Sequence, residues 1–256
     1  MKVGIMTDTH HGFSELQDKK NVLMLKEMAE FKPDLIIHSG DIGSHCYENR
    51  RDFVVELRKM FPDLPVIAVL GNHCYWHNGV NKTFSQLCQK NTKLLKDNNI
   101  IELNGDNDFT YEKVYFCGFG GWYSDLNPPT NDKFNIPQYD TVGKDYLYSQ
   151  SHKQFSKCLA HMSAYKAEVG FPTVLVSHFP FVQGATDWKS DKGSYFGNNL
   201  KYEEFLFNTD YFIFGHTHSS YTGVANNGKT KCINVGSNYE DPKFLILEIE
   251  ITKVKS

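Results

Sequence analysis

The sequence predicts a layered α/β protein, and two observations carry the prediction. Short apolar runs alternate with longer amphipathic stretches through the first hundred residues, as when buried strands feed helices. Acidic, amide and imidazole side chains then fall directly after five of the strand-like runs, where open α/β sheets gather their ligands. The 256 residues show no internal repeat, low-complexity tract or linker, so one domain over 1–256 is expected although a typical domain has about 150 residues.

The first strand is Lys2 to Thr7. Ser14 and Gln17 have capping-box spacing, and Leu16, Leu23, Met24, Met28 and Phe31 give an irregular apolar face, which predicts a helix near 14–31 ended by Pro33. Asp34 to Ser39 reads as a second strand. A helix carrying Phe53, Val54, Leu57 and Met60 follows, then a third buried strand from Pro65 to Leu70 and a helix over 80–97. Short strands are expected around 108–119. The polar stretch 123–145, with Pro128, Pro129 and Pro137, reads as a long loop. A helix near 146–169 precedes the strand Thr173 to Ser177, and strands near 211–214, 221–225, 231–235 and 243–250 close the chain, with Asn227-Gly228 as a hairpin turn.

Composition closes several function classes. Apolar residues at 40% and charged residues at 22% are globular values, not those of a disordered or fibrous chain. No apolar run approaches the roughly 18 residues of a membrane span. The N-terminal MKVGIMTD meets Asp8 too early for a secretory signal, so a cytoplasmic protein without a membrane partner is expected. Lys plus Arg is 27 against 30 for Asp plus Glu, a formal charge of −3, which disfavours nucleic acid as a partner. The arginines are Arg50, Arg51 and Arg58; they read as a solvated helix face, leaving phosphate recognition to lysine, amides or metal. Six scattered cysteines without a C-x-x-C pair read as reduced, structural thiols.

The informative residues sit at strand ends. KVGIMT leads into Asp8 and His10, DLIIHSG into Asp41, PVIAVLG into Asn72 and His73, TVLVS into His178, and YFIFG into His216 and His218. Carboxylates, an amide oxygen and imidazoles form a donor set that suits manganese, iron, zinc or nickel better than calcium or magnesium. One tetrahedral ion cannot use so many groups. Two ions about 3.5–4 Å apart can, with one bridging carboxylate, for which Asp41 is the natural choice. Singly, Asp8, Asp41 and Asn72 would be ordinary turn chemistry, and His216 and His218 ordinary surface histidines; it is the series of five that argues for a metal site.

The series Asp8-Thr9-His10, Gly40-Asp41, Gly71-Asn72-His73, His178 and Gly215-His216-Thr217-His218 resembles, in order, the motifs of the calcineurin-like metallophosphoesterases. The resemblance implies a four-layer α/β/β/α sandwich with two mixed sheets. It implies two divalent metal ions, manganese favoured, with Asp8, His10 and His218 on one, Asn72, His178 and His216 on the other, and Asp41 shared. It also implies phosphoester hydrolysis, as a phosphodiesterase or phosphatase on small or nucleotide substrates, by in-line attack of a metal-bound hydroxide with His73 as the catalytic residue. Cys74 stands where the family carries an acid after the motif histidine, so His73 needs another partner; Cys74 itself reads as buried filler. A nuclease is the runner-up, because Asp8-Thr9-His10-His11-Gly12 resembles the start of the superfamily's repair nucleases, and a non-catalytic metal-binding scaffold comes third. His11, His45, His77, His152 and His161 lack motif support and read as loop or solvated histidines, the first three near enough to motif loops to line an entrance. Trp122, Tyr123, Trp188 and Tyr195 offer either loop packing or a surface for stacking a base. Substrate, oligomeric state and the roles of loops 122–145 and 179–199 are not legible in the sequence.

Overall fold

The computed structural model describes residues 1–77, 83–123, 130–182, 185, 203, 206–225 and 227–252. The expected Trp188 and Tyr195, with most of loop 179–199, lie outside the described residues.

The first half builds one sheet from β1 (Lys2–Met6), β2 (Leu35–His38), β3 (Val66–Ala68) and β4 (Ile100–Glu102), parallel to one another, with β11 (Phe244–Glu248) antiparallel on the edge beside β1. Crossovers are made by α1 (Glu15–Glu30), α2 (Tyr47–Met60) and α3 (Phe84–Asp97). The second sheet runs β5-β6-β7-β8-β10-β9. Its members are β5 (Phe109–Tyr111), β6 (Val114–Phe119), β7 (Thr173–Ser177), β8 (Tyr211–Phe214), β9 (Tyr221–Val224) and β10 (Lys231–Asn234). The sheets are mixed, as expected: β6, β7, β8 and β10 are parallel, and β5 and β9 are antiparallel to their neighbours.

Alternation along the strands explains the layers, because successive side chains point to opposite faces. Val3, Ile5, Leu35, Ile37 and Ile67 meet Val114, Phe116, Val174, Val176 and Ile213 in a core between the sheets. The opposite face of the first sheet, through Met6, Ile36, Val66 and Ile100, packs on Met24, Met28, Phe53, Leu57 and Leu94 of the helices. On the far side, Cys117, Leu175, Phe212 and Phe214 pack on Phe155, Cys158 and Met162 of α5 (Lys144–Glu168). The result is the expected α/β/β/α sandwich.

Several local expectations need correction. The stretch read as loop 122–145 carries α4 (Thr130–Asn135) and a π-helical turn at Tyr139–Gly143 that runs into α5. Ile136, Tyr139 and Leu147 there bury against Trp76, Trp122 and Phe179, which supplies the apolar driving force that a proline-marked polar segment conceals. On α1, Leu16, Leu23 and Phe31 are exposed and the buried face is Gln17, Asn21, Met24, Leu25 and Met28. Ser14 caps the Gln17 amide as expected, but the Gln17 side chain donates to Thr9 O (3.1 Å), joined there by Asn21 (2.8 Å). Polar residues are buried because they hold the loop after β1. Strand β4, absent from the sequence reading, is three residues long, too short for a periodic signal.

Candidate dinuclear metal centre

All five predicted loops open on the same side, at the carboxyl ends of β1, β2 and β3 in one sheet and β7 and β8 in the other. Backbone bonds tie them together: Asp8 N donates to Gly40 O (3.0 Å), His10 N to Asp41 O (3.0 Å), and Gly215 N to His178 O (3.0 Å). Asp8, His10, Asp41, His216 and His218 all have φ between 40 and 69°. For residues other than glycine this left-handed conformation is strained and concentrates at functional sites. β8 ends at Phe214, so His216 and His218 lie beyond the strand, both on left-handed backbone. Gly71 is required by proximity, since a Cβ there would lie 2.2 Å from Asp41 Oδ1 and 2.7 Å from His178 Nε2.

The side chains converge. His10 Nε2 and His218 Nε2 are 3.0 Å apart, with Asp8 Oδ1 at 3.8 and 3.4 Å from them. His178 Nε2 stands 3.2 Å from Asp41 Oδ2 and 3.1 Å from Asn72 Oδ1. Three groups bring ligand atoms within 4.8 Å of one another: Asp8, His10 and His218; Asp41, His178 and His216; and His10, Asp41 and His73. Metal–ligand bonds of about 2.0–2.2 Å put neighbouring donor atoms roughly 3.0–3.5 Å apart, so the spacing and the nitrogen–oxygen chemistry fit divalent ions.

Charge is concentrated beneath the surface. Burial alone would raise Asp8 and Asp41, yet the neighbouring imidazoles, His218 and His178 for Asp8, and His178 and His73 for Asp41, hold both well below the usual carboxylate range. Burial would lower His178, and the Asp41 carboxylate overrides it, pushing the imidazole up to about 9. Burial dominates at His10 and His216, which are held well below the ordinary histidine value.

Orienting partners complete the site. His178 Nδ1 lies 2.9 Å from Ser39 O, and His73 Nδ1 lies 2.8 Å from Ser44 O, so each ring donates there and turns Nε2 inward. The His73 backbone N–H donates to Asp41 Oδ1 (2.9 Å) and its ring stacks on Trp76 at 3.7 Å. A carbonyl therefore does the orienting that the sequence sought in an acid. Cys74 is fully buried filler, its thiol pushed up to about 11 by burial. Asn72 donates its amide to Asp132 Oδ1 (3.1 Å), which leaves the oxygen facing His178. Asp132 also accepts from Trp76 Nε1 (2.7 Å) and Tyr123 OH (2.6 Å).

Three residues that matter here were missed or misread. Asp132 lay in the presumed loop. Tyr239, on the β10–β11 connection, packs 4.3 Å from the His10 ring and 5.0 Å from His218. Arg50 is not on a solvated face: it is 1% exposed and its Nη1 donates to His73 O (3.0 Å). Arg58 too turns inward, bonding the Phe61, Leu64, Asn98 and Asn99 carbonyls, while Arg51 is exposed as expected. Trp122 is buried packing; His11 is buried beside Asp18 (3.2 Å) rather than lining an entrance. The cavity above the cluster, about 210 Å³, is lined by Asp41, Asn72, His73, Trp76, Tyr123, Asn131, Asp132, His216, Thr217, His218 and Tyr239.

The sequence profile of the calcineurin-like phosphoesterases matches residues 1–220. The chain belongs to this family. It is accordingly a metallophosphoesterase, a phosphoester hydrolase, and the family implies a dinuclear divalent metal centre, for which the clusters above are the candidate ligands. No curated protein matches the chain. Solved structures similar in fold include a dimetal phosphatase from Danio rerio (TM-score 0.61, 13% identity, covering 94% of this chain and 88% of that one). The TT1561 protein of Thermus thermophilus has TM-score 0.59 and 11% identity, with 99% of both chains covered. An NAD nucleotidase from Haemophilus influenzae has TM-score 0.55 and 13% identity; 98% of this chain is covered, and it spans 49% of that one. Among the described residues no helix is long and apolar enough to cross a membrane.

Proposed function

We propose that this chain hydrolyses small phosphoesters, nucleotides included, with Asp8, His10 and His218 holding one divalent ion, Asn72, His178 and His216 the other, and Asp41 shared. The observation that carries the reading is the meeting of Asp8, Asp41, Asn72, His10, His178 and His218 from five strand ends at donor separations of 3.0–3.9 Å, with a ligand atom of His216 within 4.8 Å of those of Asp41 and His178. Manganese is the favoured ion, with iron, zinc or nickel as alternatives. When bound, such ions lower the pKa of water and offset charge on phosphoryl oxygens.

The protein's own groups then have distinct tasks. Asp41 joins the two halves of the cluster and fixes the His73 backbone through Oδ1. Asp132 keeps the Asn72 oxygen turned inward. His73, with Nδ1 committed to Ser44 O, has Nε2 available to protonate the leaving oxygen or to hydrogen-bond the transition state. A small substrate is favoured over nucleic acid because the cavity is about 210 Å³ and no lysine or arginine lines it among the described residues. The phosphatase and nucleotidase names of the fold relatives agree with that class. A cytoplasmic location and a single domain over 1–256 belong to the same proposal.

The test is hydrolysis of p-nitrophenyl phosphate and bis-p-nitrophenyl phosphate by chelator-stripped protein, with manganese, nickel, zinc or magnesium added back. Restored turnover on the monoester identifies a phosphatase and on the diester a phosphodiesterase. Silence with every metal, in protein shown to bind two ions, sinks the proposal.

A further inference from the structure

Five aromatic rings close a circuit at the mouth of the site. Between ring centroids, Tyr239 is 4.5 Å from Phe13 and 6.5 Å from His73, His73 is 3.7 Å from Trp76, Trp76 is 6.3 Å from His45, and His45 is 6.2 Å from Phe13. Trp76, His73 and Tyr239 line the cavity; Phe13 and His45 form a second layer outside that lining, Phe13 on Tyr239 and His45 on Trp76. Phe13 is 45% exposed and packs on Tyr239, a ring that lines the cavity.

The outer pair is held by backbone, so its spacing is built in. Gly12 has φ of 85°, and a Cβ there would lie 1.6 Å from Asn49 Nδ2. Its N–H donates to Asp18 Oδ1 (2.6 Å), and Phe13 N donates to His10 O (3.1 Å). The loop carrying His45 is pinned to the loop carrying Phe13 by a parallel bridge between His11 and Gly43, and by Ser44 N donating to His11 O (2.9 Å). Tyr239 follows Asn238, whose Oδ1 accepts from Glu240 N and Asp241 N at 3.0 Å each.

We propose that Phe13, His45 and Tyr239 form a leaving-group subsite for a nucleobase, which makes the substrate a phosphorylated nucleoside; this rests on the hydrolase reading above. The layering selects the occupant. An aryl phosphate would place its ring directly against His73 and Tyr239. A nucleoside places its sugar there and carries the base outward to the exposed face of Phe13, where stacking tolerates any base.

The experiment compares adenosine 5'-monophosphate with ribose 5-phosphate, which present the same ester bond and differ by the base. Manganese-loaded protein is expected to show a KM at least about tenfold lower for the nucleotide. Phe13→Ala brings the ratio of the two KM values near one, and Phe13→Trp restores it. A ratio near one in the unaltered protein, or a ratio that Phe13→Ala leaves in place, overturns the subsite. Calorimetric affinities on chelator-stripped protein, where turnover is expected to stop and all five rings are retained, give the same ratio independently of catalysis. The hydrolase reading stands or falls on the p-nitrophenyl assays; if neither nucleotide nor sugar phosphate is hydrolysed, calorimetry still decides whether Phe13 discriminates between them.

Discussion

Among the candidate ligands, the strands of the first sheet lead into Asp8, His10, Asp41 and Asn72, with His73 beside them, whereas those of the second lead into His178, His216 and His218 and into no acid. Negative charge is therefore anchored on one sheet and met by imidazoles from the other. Two of the three candidate ligand groups straddle the sheets: Asp8 and His10 with His218, and Asp41 with His178 and His216. The third, His10, Asp41 and His73, belongs to the first sheet alone. The difference separates roles. Ions in the straddling groups would staple the sheets together at their open end, while the single-sheet group holds the residue assigned to chemistry.

That comparison can be broken most directly at Asp41, the acid common to one straddling group and the single-sheet group and the one proposed to serve both ions. Asp41→Asn is expected to lower kcat/KM by on the order of 10³-fold or more and to reduce bound metal below two ions per chain, measured by elemental analysis. His73→Ala tests the single-sheet group. It should cost about 10²–10⁴-fold in kcat with metal content unchanged, and a matching loss of metal would return His73 to the ligand set.

Stapling predicts a stability effect as well. At metal concentrations about 100-fold above Kd, binding contributes about 2.7 kcal/mol per site, so chelation is expected to lower Tm by several degrees. Asp132→Ala should weaken metal affinity about 10–100-fold, by freeing the Asn72 amide, and should also lower the Tm of chelated protein, because Trp76 Nε1 and Tyr123 OH lose the same acceptor. The smallest effect is a proton. His178 is pushed up to about 9 in the metal-free protein, and a metal needs its neutral form. Binding near pH 7.5 should therefore release a proton from it, seen as a calorimetric enthalpy that varies with the ionisation heat of the buffer. Affinity should rise with pH until about 9, and a flat profile between 6.5 and 9 would contradict the assignment.

The strand ends were legible because an apolar run followed at once by Asp, Asn or His is a local pattern, and seven of the eight residues singled out there meet within a few ångströms. His73 joins them through Asp41 and its own ring contact with His10 at 4.5 Å. What the sequence hid is tertiary. Asp132 gains its role only when α4 folds over Asn72; Tyr239 reaches His10 from a loop far along the chain; Arg50 sits on a helix of ordinary charge pattern until its guanidinium turns under His73. The buried Gln17 and Asn21 defeat a hydrophobic count because their partner is a backbone carbonyl of the loop after β1.

The most direct test of the central claim is turnover of p-nitrophenyl and bis-p-nitrophenyl phosphate as manganese is titrated into chelator-stripped protein, followed together with metal content. The account predicts no turnover in stripped protein and activity that saturates at two ions per chain, with Asp41→Asn failing in both. Full activity in stripped protein, or in Asp41→Asn, would contradict it.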